Sequence, residues 1–416
     1  MSKCIKIEYE PENFETFSKT INSAIAKGFW IQLITQKYLK DDCSSKVLPE
    51  GPGFLIRGGG SSGKNHLCLH PCVNLDQSAI ASGKWLIKQG INPTNSIFLN
   101  ALPLNHVSGL MPWWRSRYWK AEHHLILPSL MRKPIELENN FQKLFKDKEK
   151  PMIISLVPTQ LQRLLNHPSG IKWLKELSLI WIGGAALPNE LARKARQKKI
   201  NLSPCYGATE TTAMITALST NKFLSGRNDC GEPLHDVEIK TDQFGRINIR
   251  TPRLALGRTK GELIESITDK YGWWESGDIG RLNHYNDVLS LTIEGRLDNG
   301  INSGGEIIFP EILEQRLLKE IALAKIQIKY LFLLGIDADD WGQRIVALVR
   351  FQSDVPKAKQ KEDLLSLKKM VKSWMPAERP HAWYDCPKLQ PNPLGKWDKN
   401  QWTCWLSNKL KREENK

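Results

Sequence analysis

Residues 152–204 read MIISLVPTQLQRLLNHPSGIKWLKELSLIWIGGAALPNELARKARQKKINLSP, and this stretch decides the fold. Short apolar segments with the length of buried strands alternate here with segments whose apolar residues recur at helical spacing. The predicted strands are 152–156, 179–182 and 202–204, and the predicted helices are 159–165 and 189–198. Strands that alternate with helices in this way predict βαβ units and a mainly parallel sheet, which is an α/β fold.

The alternation extends upstream, and the pattern changes downstream. Upstream segments predict strands at 54–56 and 97–99 and helices at 76–88 and 136–145. Further along, apolar segments at 237–240 and 246–250 flank the turn sequence DQFG, which predicts an antiparallel hairpin. We therefore predict a large N-terminal domain of βαβ units with an added antiparallel hairpin region.

Residues 295–305 are rich in Gly, Asn and Asp, and this composition predicts a linker. The chain beyond it has an alternation of its own, with predicted helices at 310–318 and 361–372 and predicted strands at 330–334 and 345–350. The sequence thus predicts two domains, a large N-terminal one at 1–297 and a small α+β one at 298–416.

The composition is that of a globular protein, with 41% hydrophobic and 25% charged residues. The first residues lack the apolar core of a signal peptide, and the longest apolar runs are too short to cross a bilayer. Eight cysteines scattered through 416 residues do not form a disulfide framework. We therefore expect a soluble, cytoplasmic protein with no membrane partner.

The net charge of +15 has two interpretations. It would attract polyanionic ligands, or it reflects lysine-rich surface segments such as 146–150 and 409–416. The sequence has no recognisable nucleic-acid-binding module or zinc-finger spacing, so we expect no nucleic-acid partner.

His66, Cys68, His70 and Cys72 alternate along the chain, and on a strand they would share one face. Structural zinc sites usually take their ligands from tight turns that a longer spacer separates. A buried strand with small, soft side chains is therefore the favoured interpretation, and a metal site is the alternative.

A glycine-rich loop, GGGSSGK at 58–64, follows a predicted strand. Such a loop lets backbone N–H groups and serine hydroxyls approach phosphate oxygens closely. It matches the first part of a Walker A loop, but the next residue is Asn65 where that loop needs Ser or Thr. The residues that follow also alternate like a strand instead of opening a helix. A phosphate loop of another kind and a turn without a ligand both remain open.

Five further motifs follow in order, and the last lies in the predicted C-terminal domain. They are YGATE (206–210), SGD (276–278), GRLD (295–298), SGGE with PEILE (303–306 and 310–314) and PNPLGK (391–396). In this order they resemble the signature motifs of the adenylate-forming superfamily, which comprises acyl-CoA synthetases, peptide-synthetase adenylation domains and luciferases. The resemblance runs from about residue 54 to about residue 402.

Two more segments, LPLNHVSGL (102–110) and VPTQLQRLL (157–165), are similar to those of the o-succinylbenzoate–CoA ligase family of menaquinone and phylloquinone synthesis. The resemblance implies an enzyme that uses ATP and Mg²⁺ to activate a small-molecule acid as its acyl-adenylate and then transfers the acyl group to coenzyme A. The alternatives are a CoA ligase for another aromatic or aliphatic acid, a carrier-loading adenylation protein and a degenerate binding protein. The sequence leaves a homo-oligomer open.

The resemblance also implies roles for individual residues. In the nucleotide site, it implies phosphate contacts from Ser61, Ser62, Gly63 and Lys64, an adenine pocket at Gly183, Gly184 and Ala185, further contacts from Tyr206 and Gly207, a ribose contact from Asp278 and a nearby contact from Arg296. In catalysis, it implies that Thr209 contacts the α-phosphate, Glu210 holds Mg²⁺ and Lys396 bridges the carboxylate and phosphate oxygens. Gly183 and Gly184 are equally compatible with a plain strand-end turn.

For the acid, the resemblance indicates His106 and Ser108 as pocket residues and Arg115, with Arg117 nearby, as a partner of the second carboxylate. A satisfied core histidine at His106 and a surface ion pair at Arg115 remain the alternatives. The resemblance further implies that the C-terminal domain is mobile about a hinge at Asp298. Coenzyme A would pass along a channel at Ser303, Gly304 and Gly305.

The sequence departs from the family pattern at two places. Where the family's phosphate loop continues with Pro-Lys-Gly, this chain has Asn65, His66 and Leu67, so the loop lysine is absent. Lys64 lies two residues away. The segment before the loop is also shorter than in most relatives, and we expect part of the first sub-lobe to be missing or reduced.

Overall fold

The computed structural model describes residues 3–9, 13–35, 48–58, 66–146, 149–260, 263–285, 288–304, 306–338, 340–392, 395 and 397–414. The strands in chain order are β1 (Cys4–Glu8), β2 (Trp30–Ile34), β3 (Gly53–Arg57), β4 (Leu67–Pro71), β5 (Ile97–Asn100), β6 (Glu122–Leu125), β7 (Met152–Leu156), β8 (Leu179–Ile182), β9 (Leu202–Ala208), β10 (Ala213–Ala217), β11 (Glu232–Pro233), β12 (Glu238–Thr241), β13 (Arg246–Arg250), β14 (Arg258–Lys260), β15 (Leu263–Glu265), β16 (Trp274–Tyr285), β17 (Val288–Arg296), β18 (Ile301–Ser303), β19 (Glu306–Ile308), β20 (Ile328–Ala338), β21 (Gly342–Phe351) and β22 (Ala382–Asp385). The helices are α1 (Phe14–Ala26), α2 (Cys72–Lys88), α3 (Val107–Trp119), α4 (Pro134–Lys146), α5 (Pro158–Leu165), α6 (Pro168–Lys175), α7 (Asn189–Gln197), α8 (Thr220–Leu224), α9 (Pro310–Leu323), α10 (Lys357–Met370) and α11 (Lys399–Glu414).

A seven-stranded sheet in the order β11-β10-β9-β8-β7-β5-β6 forms the centre of the N-terminal part. The strands from β9 to β6 are parallel, and β10 and β11 are antiparallel additions. Successive residues of β7 point to opposite faces of the sheet. Ile154 packs in one apolar cluster with Trp173 of α6, and Ile153 packs in another with Trp85 of α2. Each fully buried side chain of this size stabilises the fold by about 1.5–3 kcal/mol. The predicted α/β fold with βαβ units is confirmed.

A six-stranded sheet, β1-β2-β3-β4-β14-β15, combines the first four strands of the chain with two strands from residues 258–265. Strands β1, β2 and β3 are parallel, and β4 turns back antiparallel to β3. Strand β4 is the predicted buried strand of alternating His and Cys residues, and Cys68 and His70 are fully buried in it. Cys72 leaves the alternation, because it is the first residue of α2.

The predicted antiparallel hairpin is β12–β13, and β16 and β17 complete a four-stranded sheet. The Asp242 carboxylate accepts hydrogen bonds from the N–H groups of Phe244 and Arg246, and Gly245 has a φ of 76°. A side-chain acceptor and a left-handed glycine are the usual components of such a tight turn.

The last sheet has the order β19-β18-β21-β20, with β22 parallel to β21. Its two apolar clusters take all their residues from position 301 onward. The predicted α+β character of this part is confirmed, and the domain boundary at 297/298 stays a prediction. Within the linker predicted at 295–305, β17 continues to Arg296, a 3₁₀ turn spans Leu297–Asn299 and β18 follows. The described residues are therefore more regular than their composition predicts, and the linker itself stays a prediction.

Among the described residues, no helix is both long and apolar enough to cross a membrane. Six of the described cysteines are free thiols, and Cys4 is disulfide-bonded.

Candidate functional site

The YGATE motif forms the end of β9 and the turn into β10. Thr212 and Ala213 in this turn have φ values of 52° and 71°, a left-handed conformation that non-glycine residues rarely adopt. The hydroxyl of Thr211 donates a 2.7 Å hydrogen bond to the carbonyl of Ala213. Gly207 has no room for a side chain, because an added Cβ would lie 2.0 Å from the Ala213 carbonyl oxygen. The turn therefore holds Thr209 and Glu210 in a fixed position beside β9.

Arg253 forms hydrogen bonds with this turn. It was not predicted from the sequence. Its side chain is fully buried, and its guanidinium donates to the Thr211 carbonyl and to the Asp236 carboxylate, both at 2.7 Å. The Thr212 hydroxyl donates in return to the Arg253 carbonyl at 2.7 Å. The arginine stands in no recognisable motif, and only the three-dimensional arrangement identifies it.

Glu210 lies beside the start of β4, where its Oε1 is 3.1 Å from Nε2 of His66, the residue that precedes the strand. Burial by itself would raise the pKa of Glu210, but the hydrogen bond from His66 and its own backbone N–H lower it below its ordinary value. The carboxylate is thus ionised at neutral pH. An ionised carboxylate beside a threonine hydroxyl suits Mg²⁺, which commonly takes one carboxylate and several phosphate or water oxygens.

Asp278 on β16 joins a hydrogen-bonded network with Tyr206 of β9. The Tyr206 hydroxyl donates to Asp278 at 2.5 Å, and the Arg296 guanidinium donates to Asp278 at 3.2 Å and to Asp298 at 3.0 Å. Burial, together with the charge of Asp278, raises the pKa of Tyr206 well above its usual value, so the hydroxyl stays protonated. Because a carboxylate oxygen accepts more than one hydrogen bond, Asp278 can also accept from the hydroxyls of a ribose.

Gly183, Gly184 and Ala185 follow β8 directly, at the edge of the sheet where β9 carries Tyr206. The Gly183 N–H donates to the Leu156 carbonyl at 3.2 Å, and Gly184 has a φ of 78°. The carboxyl ends of neighbouring parallel strands form the usual ligand-binding edge of an α/β sheet. The predicted adenine segment and the YGATE motif therefore share one edge of the central sheet.

Arg115 of α3 packs against β8 of the same sheet. Only 3% of it is exposed, and its guanidinium carbon lies 5.0 Å from the ring centre of Trp181 in β8. Its Nε and Nη2 have no hydrogen-bond partner among the described residues. Burial, with the charge of Arg253, lowers the pKa of Arg115 to about 9. The alternative of a surface ion pair at Arg115 was wrong.

The other predicted acid-pocket residues lie at the start of α3. His106 precedes the helix, and both His106 and Ser108 are half-buried, so their predicted roles stay predictions. Arg117 is exposed and lies over the ring of Trp114 at 5.1 Å. The tryptophans at 113, 114 and 119 are buried, in line with the core role that their type favours.

Several predicted residues lie outside the described part of the chain, namely Ser61, Ser62, Gly63, Lys64, Gly305 and Lys396. Gly395, just before the last of these, has a φ of 77°, and an added Cβ there would lie 3.2 Å from Oγ1 of Thr159. Gly395 thus lies close to the beginning of α5, which directly follows the carboxyl end of β7.

Ser303 and Gly304 are the described members of the predicted CoA channel, and Ser303 borders a cavity of about 210 Å³. The Gly304 N–H donates to the Trp341 carbonyl at 2.9 Å, and an added Cβ on Gly304 would lie 2.8 Å from the Trp341 ring. The cavity is lined by Ser303, Trp341, Arg344, Ile345, Pro376, Arg379 and His381. Sequence reasoning missed this aromatic and cationic lining, because its residues come from separate segments.

Comparison with known proteins gives one family and a consistent set of relatives. The AMP-binding enzyme family matches residues 17–248. A 2-succinylbenzoate–CoA ligase from Salmonella typhimurium is 31% identical over 325 residues, covering 77% of this chain and 64% of that protein. The same-named protein from Escherichia coli is 30% identical over 282 residues, covering 68% of this chain and 56% of that protein. The chain therefore spans about three fifths of the length of these curated relatives.

Solved structures share the fold. The o-succinylbenzoate CoA synthetase (MenE) from Bacillus subtilis, in complex with the acyl-adenylate intermediate OSB-AMP, matches with a TM-score of 0.69 and 22% identity, covering 96% of this chain and 78% of that one. A variant of E. coli MenE with bound OSB-AMS matches with a TM-score of 0.71 and 22% identity, covering 97% of this chain and 88% of that one.

Proposed function

The chain belongs to the AMP-binding enzyme family, and from this premise we propose that it is an AMP-forming acid–thiol ligase. In the first step a substrate carboxylate attacks the α-phosphate of ATP, pyrophosphate leaves, and an acyl-adenylate forms. In the second step the thiol of coenzyme A attacks the acyl carbonyl, and AMP leaves. Both steps depend on charge neutralisation and positioning more than on covalent help from the protein.

The observation that carries this proposal is the convergence of nucleotide-binding groups at one sheet edge. Tyr206 orients the Asp278 carboxylate with a 2.5 Å hydrogen bond, and Arg296 holds its other oxygen at 3.2 Å. This arrangement presents a fixed carboxylate to the ribose hydroxyls of ATP. Glu210, four residues after Tyr206, is ionised and faces the same edge.

Thr209 and Glu210 suit the phosphate end of the nucleotide. Thr209 is 8% exposed in a rigid turn, which places a hydroxyl donor for the α-phosphate. Glu210 would hold Mg²⁺, which supplies neutralising charge to the phosphate oxygens when bound. Lys396 would stabilise the charge that develops between the carboxylate and the phosphate, and the preceding residue, Gly395, lies close to Thr159 at the start of α5.

The proposed acid is o-succinylbenzoate, which has a second carboxylate. Two guanidinium nitrogens of Arg115 are buried without a partner among the described residues. A buried, unpaired arginine is costly, and a carboxylate is the group it binds best, because two parallel hydrogen bonds form between them. The names of the relatives and this unsatisfied cation together favour an acid with an anionic end remote from the reacting carboxyl.

Coenzyme A is the proposed acyl acceptor. The cavity beside Ser303 combines the indole of Trp341 with Arg344, Arg379 and His381. An aromatic face with cations around it fits the nucleotide part of coenzyme A, because adenine stacks and its phosphates pair with arginine. The Ser303-Gly304 backbone would then guide the pantetheine arm.

We further propose that residues 298–416 form a domain that reorients about Asp298 between the two steps. Asp298 lies in the 3₁₀ turn between β17 and β18, and its carboxylate accepts from Arg296. The Lys399 ammonium donates to the Asp298 carbonyl at 3.4 Å. Breaking these two exposed contacts costs little, which suits a hinge.

Substrate-dependent pyrophosphate release tests the proposed function. The chain is mixed with ATP, Mg²⁺ and one acid at a time, namely o-succinylbenzoate, benzoate or a simple fatty acid, first without and then with coenzyme A. We expect release with o-succinylbenzoate and formation of its thioester only when coenzyme A is added. Equal turnover with benzoate would contradict the substrate, and release of phosphate instead of pyrophosphate would contradict the reaction class.

A further inference from the structure

A cluster of three different donor atoms lies beside the proposed nucleotide site, and the proposed ligase reaction uses only one of them. The ring nitrogen of His66, the sulfur of Cys68 and a carboxylate oxygen of Glu210 all lie within 4.8 Å of one another. Cys68 is fully buried, and the side chains of His66 and Glu210 are each 15% exposed. His66 and Cys68 point to one side because they alternate along the same extended segment.

The backbone around the cluster is firmly held. The Gly58 N–H donates to the His66 carbonyl at 2.9 Å, and an added Cβ on Gly58 would lie 2.2 Å from Nε2 of His66. Position 58 must therefore be glycine for the imidazole to occupy its place. Cys68 pairs with Ile56 on one side and with Arg258 on the other, so the thiol lies on a strand with neighbours on both edges.

The backbone of Glu210 is linked to β4, the strand that carries Cys68, through residues 255–256. The Ala255 N–H donates to the Glu210 carbonyl at 2.8 Å, and the next residue, Leu256, donates to the Leu69 carbonyl at 2.9 Å. Residues 255–256 thus connect the turn that carries Glu210 to β4 through these two backbone hydrogen bonds. The three donors come from positions up to 144 residues apart, yet short hydrogen bonds fix their relative placement.

We propose that His66, Cys68 and Glu210 bind a zinc-class divalent cation in the nucleotide-free chain. Zinc takes imidazole nitrogen, thiolate sulfur and carboxylate oxygen at about 2.0–2.3 Å, so the ligands of a tetrahedral site lie about 3.3–3.8 Å apart. The three donor atoms lie within 4.8 Å of one another, so the two furthest apart would approach each other by about 1 Å on metal binding. Three protein ligands leave one tetrahedral position open for water or a phosphate oxygen.

The combination of nitrogen, sulfur and oxygen donors in this cluster disfavours Mg²⁺. Mg²⁺ prefers oxygen ligands in a regular octahedron and binds thiolates poorly, whereas zinc, cobalt and similar ions accept sulfur and nitrogen. A metal-bound cysteine is a thiolate, so metal binding would release the Cys68 proton, and the cation would offset the charge of the Glu210 carboxylate.

The inference does not depend on the proposed ligase activity, because it concerns binding to the chain without nucleotide. The two share Glu210, which would hold Mg²⁺ only when a nucleotide supplies the remaining oxygen ligands. His70, two residues beyond Cys68, is not one of the residues whose donor atoms lie within 4.8 Å of one another, and its Nδ1 lies 3.0 Å from the Thr212 hydroxyl.

Cobalt(II) is the probe for this site, because thiolate coordination gives it a charge-transfer band in the near ultraviolet. The full chain is stripped with a chelator, kept reduced with a phosphine and titrated with Co²⁺. We expect the band to saturate at one equivalent, to disappear on addition of Zn²⁺ and to persist in a large excess of Mg²⁺. A wild-type chain without the band overturns the proposal.

Variants assign the ligands. Cys68→Ser should remove the band, and the matched control Cys404→Ser, at an exposed cysteine of α11, should retain it. His66→Ala and Glu210→Gln should each weaken Co²⁺ binding at least about tenfold, because even an outer partner of a ligand is worth that much. A band that survives in Cys68→Ser would place the metal elsewhere and refute the assignment. If Cys68→Ser melts early, the other two variants decide, and unchanged affinity in both is the contradicting result.

Discussion

Replacing Arg115 with methionine should stabilise the protein and impair its reaction with o-succinylbenzoate. The two effects have opposite signs because the same buried charge is unpaired in the free chain and paired in the substrate complex. Methionine retains the length and most of the volume of the arginine stem, so packing against Trp181 changes little. The substitution therefore isolates the charge.

The expected magnitude follows from the contacts of Arg115. Nε and Nη2 have no partner among the described residues, and each unsatisfied nitrogen costs about 1–3 kcal/mol. The cation–π contact with Trp181, at 5.0 Å, offsets about 0.5–2 kcal/mol of this. These two contributions together give about 0–5.5 kcal/mol. We expect the free energy of unfolding to rise by about 1–4 kcal/mol, the range found when buried charges are replaced by apolar groups.

The expected loss of activity follows from the pairing that disappears. A hydrogen bond to a charged group contributes about 1.5–3 kcal/mol, which corresponds to about 10- to 150-fold in kcat/KM for o-succinylbenzoate. Activity with benzoate, which lacks the second carboxylate, should not fall. Denaturant unfolding and pyrophosphate release are measured on the same preparations.

The matched control is Arg117→Met on the same helix. Arg117 is exposed and lies over the ring of Trp114. Its replacement should therefore change the free energy of unfolding by no more than about 0.5 kcal/mol and should leave kcat/KM unchanged. The reasoning is refuted if Arg115→Met unfolds at lower denaturant than the wild type, or if it uses o-succinylbenzoate as well as the wild type does.

Three further predictions concern other parts of the chain. Lys396→Ala should abolish acyl-adenylate formation from ATP and leave thioester formation from added acyl-adenylate largely intact; equal loss of both half-reactions would remove this lysine from the adenylation step. Asp298→Pro, which fixes φ near roughly –65°, should impair one half-reaction selectively in a chain of normal melting temperature, and normal rates for both would exclude the hinge. Burial lowers the pKa of His123 to about 4, whereas the unfolded chain binds this proton near pH 6.5. The free energy of unfolding should therefore fall by up to about 3 kcal/mol as the pH drops from about 6.5 to about 4. His123→Phe, which preserves the stacking on Phe14, should lack this component in denaturant unfolding between those pH values, and an unchanged pH profile would contradict the assignment.

The regular parts of the fold could be predicted because buried parallel strands have continuous apolar runs and the helices between them have one apolar stripe. Strands β7 and β8 match their predicted bounds, and α5 and α7 differ from theirs by one residue. Helix α3 was not predicted. It has Pro112 in its interior and is buried on several sides, including at Arg115. Its sequence therefore lacks the alternation of an apolar and a polar face by which a helix is recognised.

The candidate site was predictable in its motifs and not in its long-range partners. The order of the motifs indicated Tyr206, Glu210 and Asp278, and a strand-end glycine pair is recognisable locally. The contact between His66 and Glu210 spans 144 residues, and Arg253 supports its turn from 42 residues away. Such pairs arise from how strands of different sheets pack, and no local pattern encodes them.

The most direct test of the central claim is the exchange of labelled pyrophosphate into ATP. This exchange requires reversible formation of an acyl-adenylate and does not require coenzyme A. We predict exchange that depends on o-succinylbenzoate and Mg²⁺, that is lost in Glu210→Gln and that is replaced by net thioester and AMP formation when coenzyme A is added. The absence of acid-dependent exchange in a folded wild-type chain with bound ATP would contradict the proposal that it is an adenylate-forming ligase.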